Sequence, residues 1–211
     1  MNEALKHNLE KRIERTMKAL QANRMEAYYV STAQEVLPFV QNMLPKGAVV
    51  ACGGSASLDE TGVMQLLESG SYEFLDRRKV SGPELDALYG RIFTADWYLA
   101  SSNAVTEQGE LYNVDGNSNR VAAMTFGPKN VLLVVGCNKI VTDLEAARQR
   151  VEQIAAPANA HRLHCQTPCA TTGVCGHCHS PQRICCNTVI QGFQRHEGRI
   201  KVLLVGEPLG F

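Results

Sequence analysis

A three-layer α/β fold, a mostly parallel sheet covered by helices on both faces, follows from two features of this sequence. Its apolar runs are short and continuous rather than alternating, the pattern of strands buried on both sides. Segments of helical periodicity separate those runs, which is the signature of a sheet built from crossover connections. With 211 residues and 45% apolar content, the chain suits one α/β domain of ordinary size. Residues 1–211 are read as a single unit, with an N-terminal helix over about 3–22 and a cysteine-rich insertion over about 161–190.

The elements follow in order. Leu5, Leu9, Ile13 and Leu20 recur at helical spacing and predict an amphipathic helix over 3–22. Met25–Val30 is a strand. Ser31, with Gln34 three residues on, is a capping-box start for a helix carrying Val36, Val40 and Met43, which Pro45 and Gly47 end. Ala48–Cys52 is a continuous apolar strand. Gly53-Gly54-Ser55 then turns into a helix around Leu58–Leu67. A short strand YEFLD, a helix from about Pro83 to Phe93 and a strand Trp97–Ser101 come next. Gly109–Gly116 reads as a strand entering a turn, and 119–125 as a short helix or turn. Asn130–Gly136 is the strongest strand in the chain. Thr142 or Asp143 caps the helix DLEAARQRVEQIAA, and Lys201–Gly206 is a last strand. The cysteine-rich segment lies between that helix and that strand, so it is an insertion held at both ends.

Composition narrows the partners. Basic and acidic side chains balance at 21 each, so no basic face is expected for neutralising phosphates and nucleic acid is not an expected partner. The first twenty residues are charged and amphipathic, unlike a signal peptide, and no apolar run approaches the length of a membrane span. A cytoplasmic, reducing location is the expectation, with a small-molecule metabolite as partner and homo-oligomerisation open.

Three places carry candidate chemistry. The ACGGSASLDETG turn sets Gly53, Gly54 and Ser55 at the end of a buried strand and opens a helix. Small residues let an anion approach the backbone there, and free amides at a helix start favour negative charge. In open α/β sheets ligands bind at this edge, although a tight turn with a serine cap has the same composition. In SSNAVTEQGELYNVDG, Glu107 lies in a polar turn between two strands, as a nucleophile, a general base or a solvated loop acid. Asn103 adds an amide nearby. Asn138 and Lys139 follow the strongest strand, where Lys139 is placed to hold a phosphate or carboxylate.

Six of the eight cysteines fall within Cys165–Cys186, spaced C-x3-C-x5-C-x2-C-x6-C-C. Thiols at such short spacing are expected as ligands of a metal or cluster rather than disulfides. The Cys175-x2-Cys178 pair reaches one centre from a tight turn. Cys169 and Cys185 flank it, so Cys169, Cys175, Cys178 and Cys185 are the favoured set, with Cys186 an alternative to Cys185. Unequal spacings around a single pair fit an iron–sulfur cluster better than a zinc ribbon, and zinc stays as the alternative. Cys52 and Cys137 follow apolar runs and are expected in the core.

GGSASLDETG, followed by ADWYLASSNAVTEQGELYNVDGNSNRVAAMTFGPKNVLLVVGCNKIVTDLEAA, resembles the LUD (lactate utilization) family from about residue 15 to the end. The resemblance implies a fold related to the ribose-5-phosphate isomerase, glucosamine-6-phosphate deaminase and CoA transferase group, with a ligand site at the strand ends. It implies that the GGS turn is an anion-binding turn and that Glu107 sits where related CoA transferases carry a glutamate nucleophile. TPCATTGVCGHCHSPQRIC is similar to the family subset with TPC-x2-TG-x-C-x2-C-x-SP-x-RIC. The function so implied is binding of a small carboxylate or phosphorylated metabolite within lactate or organic-acid oxidation, alongside iron–sulfur and other subunits. Two readings stand beside it: a non-catalytic ligand-binding or assembly module with a structural zinc, and a CoA-transferase or sugar-phosphate isomerase-like enzyme.

Overall fold

The computed structural model describes residues 2–211. The first half of the chain runs α1 (Glu3–Ala22), β1 (Glu26–Val30), α2 (Val36–Met43), β2 (Val49–Cys52), α3 (Ala56–Glu60), α4 (Val63–Glu68), β3 (Glu73–Leu75), α5 (Pro83–Ile92), β4 (Trp97–Ala100), β5 (Ala104–Thr106) and β6 (Leu111–Asp115). The second half runs α6 (Asn119–Thr125), β7 (Asn130–Gly136), β8 (Ile140–Val141), α7 (Leu144–Arg150), α8 (Ala156–Arg162), α9 (Pro168–Thr172), β9 (Asn187–Gln191) and β10 (Ile200–Val205).

Six strands form one sheet in the order β1-β10-β7-β4-β2-β3, every neighbouring pair parallel. Its central strands bury both faces, which is why their sequences are apolar throughout. On β7, Val131, Leu133 and Val135 face one cluster, packed with Ile13 and Leu20 of α1. Leu132 and Val134 face the other, packed with Val36 and Val40 of α2 and Leu58 and Leu67 of α3 and α4. Truncating any of these fully buried leucines to alanine removes about 2–5 kcal/mol of stability. The three-layer parallel architecture expected from the apolar runs is therefore present.

A second sheet, in the order β8-β5-β6-β9, was not legible in the sequence. β6 pairs antiparallel with both β5 and β9, and α7 and the turn after it cover the sheet, Ala147 and Val151 packing with Ala104 and Tyr112. The cysteine-rich segment enters from α8 and leaves into β9, so the small sheet, not the last strand of the main one, anchors its far end.

Several local expectations shift. The first capping box uses Thr32 and Glu35 rather than Ser31 and Gln34. Glu35 carboxylate accepts the Ser31 and Thr32 amides at 2.7 and 3.3 Å, a geometry that a neutral glutamine amide matches less strongly. The helix expected over Leu58–Leu67 is broken into α3 and α4 at Gly62, which adopts φ +74°. Asp143, not Thr142, caps α7, accepting the Ala146 amide at 2.9 Å. Between α7 and α8 a π-helical turn spans Val151–Ala155. Cys52 and Cys137 pack against the core clusters but are half-buried rather than fully enclosed. Burial pushes the Cys52 thiol up to about 12, so it is inert as a nucleophile.

Candidate functional site

The carboxyl ends of β2, β4 and β7, three adjacent strands, open onto a cleft of about 460 Å³. Gly54 and Ser55 after β2, Asn103 after β4 and Lys139 after β7 all line it. These four sequence-predicted residues are brought together by the topology alone. Ser55 Oγ has no hydrogen-bond partner although the atom is buried.

Both glycines stand against arginine side chains. A Cβ on Gly53 would stand 3.1 Å from Cγ and Cδ of Arg120, and one on Gly54 3.1 Å from an Arg77 guanidinium nitrogen. The missing side chains make room for two arginines. Because α3 is a single turn of five residues, its dipole contributes little and these cations set the local potential. Asn138 does not line the cleft. It accepts the Leu209 amide at 3.1 Å and donates to Gly210 carbonyl at 3.2 Å, pinning the segment after β10.

Arg120, on α6, organises the floor. It donates to Ser101 carbonyl (3.1 Å), Asn113 Oδ1 (2.6 Å), Asn103 Oδ1 (2.9 Å) and Val114 carbonyl (2.8 Å). Asp115 lies 3.6 Å from its Nε. Burial lowers its pKa, and the Asp115 carboxylate opposes that shift. Lys139 donates from Nζ to Ser57 Oγ and Ser101 Oγ, both at 3.0 Å. Burial first, then repulsion from Arg150, brings it down to about 7 despite the attraction of Glu60. Arg150 is fixed by the Asn138 and Asn103 carbonyls at 3.0 and 2.6 Å, and burial lowers it to about 10. Arg77, Arg120, Lys139, Arg162 and Arg183 line the cleft against one acidic side chain, Asp115.

Glu107 lies elsewhere. Arg12 Nε and Arg15, both on α1, donate to its two oxygens at 2.7 and 2.9 Å, and it is not among the cleft-lining residues. Burial alone would raise its pKa, but the paired arginines outweigh this and hold it below the usual carboxylate range. The T-E-x-G turn is a docking turn for α1. Asn23 donates to the Gln108 and Gly109 carbonyls at 2.9 and 3.0 Å. A Cβ on Gly109 would come within 2.5 Å of the Ala19 backbone.

All eight cysteines are free thiols. Cys169, Cys175, Cys178 and Cys185, the four favoured from spacing, line one cavity of about 150 Å³, whereas Cys165 and Cys186 do not. The π-helical turn contributes Val151 and Glu152 to its wall. Among the described residues no three Cys, His, Asp or Glu side chains stand close enough to hold one metal ion. Arg183 borders both this cavity and the anion cleft. It donates to Cys178 and Cys185 carbonyls at 2.9 Å and lies 3.5 Å from Cys185 Sγ.

The sequence pointed to the strand ends but not to Arg77, Arg120, Arg150 or Ser101. An arginine reads as surface in sequence, and nothing local marks Arg120 as buried against Asn103, Asn113 and Asp115. No helix is long and apolar enough to cross a membrane among the described residues.

Comparison with known proteins bears on the whole chain. A solved DUF162 family protein from Deinococcus radiodurans is 15% identical, with a TM-score of 0.52 over 95% of this chain and 98% of that one. That likeness concerns the fold. Ribose 5-phosphate isomerase A from Neisseria gonorrhoeae, 15% identical over 59% of this chain and 63% of that one, has a TM-score of 0.34 and carries no argument. No curated protein matches. The LUD domain model matches residues 13–205, which takes in both the cleft and the thiol cavity, and the chain therefore belongs to the LUD domain family.

Proposed function

We propose that the cleft binds a small carboxylate or phosphorylated metabolite, and that the four thiolates beside it hold an iron–sulfur cluster within a system for oxidising lactate or a related organic acid. The observation that carries the first half is the excess of cationic side chains lining the cleft over the single carboxylate of Asp115. Cations gathered in a recess attract and focus anions. Arg77 and Arg162 sit at its edge, and the unpartnered Ser55 hydroxyl supplies a neutral donor. Such an array orients a carboxylate or phosphate by charge-assisted hydrogen bonds.

The second half rests on the fit of the thiol cavity. Four cysteines line a space of about 150 Å³, roughly ten times what one water needs. That leaves room for a polynuclear cluster, and zinc, whose four sulfurs would close to about 2.3 Å from one point, is the alternative. Cys169, Cys175, Cys178 and Cys185 would be the ligands, and the cluster, when bound, supplies one-electron transfer. Arg183, holding the backbone on both sides of Cys178 and Cys185, fixes the loop and offsets thiolate charge. A glutamyl nucleophile at Glu107 gains no support, since both its oxygens are occupied by α1.

Equilibrium dialysis of phosphate and of lactate tests the cleft. Arg77→Ala is expected to weaken the bound anion by about tenfold or more, as loss of one charge-assisted hydrogen bond does. An unchanged affinity contradicts the reading. Iron and acid-labile sulfide analysis of anaerobically isolated protein tests the cluster. Stoichiometric zinc without iron removes it.

A further inference from the structure

Lys139 is unusual among the cleft cations. Its side chain is 4% exposed, yet its amine faces two neutral hydroxyls rather than a carboxylate. Ser57 stands on α3 and Ser101 follows β4, so the amine is fixed from two neighbouring elements. The Ser101 hydroxyl is itself directed at the Ser102 carbonyl, 3.4 Å away, and so must accept from lysine. A neutral amine has two N–H bonds and one lone pair. Both N–H bonds are matched by the two hydroxyls, which leaves the lone pair for the cleft that Lys139 lines. Burial first, then repulsion from Arg150 and Arg120 against the attraction of Glu60, brings the amine down to about 7. An ordinary lysine is neutral in only roughly one molecule in a few thousand at pH 7.

We propose that Lys139 condenses with the carbonyl carbon of an anionic oxo compound whose anionic group is held by the neighbouring arginines. The inference rests on the anion-binding reading of the cleft and adds a covalent partner to it. Nζ adds to the carbonyl carbon as the C=O π bond opens. One amine proton passes to the oxygen, with the Ser57 hydroxyl placed to relay it. The hydroxyl then leaves as water, taking a second proton from the nitrogen, and a C=N bond forms. Amine and carbonyl give imine and water, with no oxidant or reductant. Buried lysines with lowered proton affinity are suited to this chemistry because the unprotonated amine is the nucleophile. The anion can be a carboxylate beside the carbonyl or a phosphate further off, and these are the two sources to separate.

Reductive trapping tests it. The full chain is incubated with pyruvate or with dihydroxyacetone phosphate in the presence of sodium cyanoborohydride, digested, and mapped by mass spectrometry. The expected result is one reduced adduct, on the peptide containing Lys139, formed at least tenfold faster than on exposed lysines such as Lys46. The reactive probe names the ligand: pyruvate for a 2-oxo acid, the triose phosphate for a phosphorylated carbonyl compound. Ser101→Ala is expected to slow trapping several-fold, and an unchanged rate removes its role in fixing the amine. Labelling spread evenly over exposed lysines, or none at Lys139, overturns the imine. Phosphate dialysis run in parallel separates the two levels. Phosphate bound without an adduct refutes the imine and leaves the cleft reading standing, whereas absence of phosphate, lactate and both oxo compounds refutes the cleft reading itself.

Discussion

Replacing Arg120 with methionine tests whether this arginine is the frame of the cleft. The substitution keeps most of the aliphatic stem against Gly53 and removes the guanidinium. Four acceptors lose the guanidinium, the Ser101 and Val114 carbonyls and the Asn103 and Asn113 side-chain oxygens, although Asn103 Oδ1 keeps the Val114 amide at 2.8 Å. Hydrogen bonds to a charged group are worth about 1.5–3 kcal/mol each, but summing four would overshoot, because relaxation and water recover part. Removing one partner of a buried, hydrogen-bonded charge costs about 3–5 kcal/mol. Burial already disfavours the Arg120 cation, so relief of that penalty puts the net loss near the lower end, about 3 kcal/mol. For a domain of this size that lowers the melting temperature by about 6–12 °C. Asp115 is left 10% exposed, still accepting the Ser118 and Val121 amides at 3.1 and 3.3 Å. Adding Asp115→Asn to Arg120→Met is therefore expected to recover about 1 kcal/mol, read as coupling in a double-mutant cycle. Urea unfolding of the four proteins, with unchanged m-values, is the assay. A loss below about 1 kcal/mol for Arg120→Met, or no coupling with Asp115→Asn, refutes the claim that the guanidinium organises the floor.

Three further outcomes follow from the same geometry. Gly53→Ala is expected to weaken phosphate binding several-fold, because its Cβ meets Arg120 and the Tyr98 hydroxyl at 3.1 Å; unaltered binding would show that Arg120 can shift freely. Lys139→Met should alter the pH profile of stability. In the wild type the folded pKa of about 7 lies below the unfolded value near 10.4, so between them the unfolded chain holds the extra proton. Wild-type stability then rises by up to about 1.4 kcal/mol per pH unit from pH 7 to about 10.4, relative to Lys139→Met. Parallel profiles in urea titrations would place the amine in water. Cys178→Ser is expected to abolish bound iron, while Cys186→Ser, outside the cavity, leaves at least most of it; the reverse order would redraw the ligand set.

How much of this was legible depends on the kind of signal. The main sheet could be read because β7 and β10 bury both faces and carry continuous apolar runs, Val131–Val135 and Val202–Val205. Helix α1 was bounded correctly because its periodicity is long. The second sheet escaped because β5, β8 and β9 are only two to five residues long, and β9 opens on the exposed polar pair Asn187-Thr188. Strand ends located Ser55, Asn103 and Lys139. What they could not reveal is that Gly53 and Gly54 make room for arginines from elsewhere in the chain, since a contact between Gly53 and Arg120 leaves no mark in local sequence. Glu107 illustrates the converse. A carboxylate in a polar turn carries the same local pattern whether it meets substrate or, as here, two arginines of α1.

The most direct test of the account is the location of a bound anion. Crystals grown with selenate, whose selenium is found by anomalous scattering, are predicted to show a peak in the cleft within hydrogen-bonding reach of Ser55 Oγ and the Arg77 or Arg120 guanidinium. Selenium found only at surface lysines, with the cleft free of it at concentrations that saturate other sites, would contradict an anion-binding role for these strand ends.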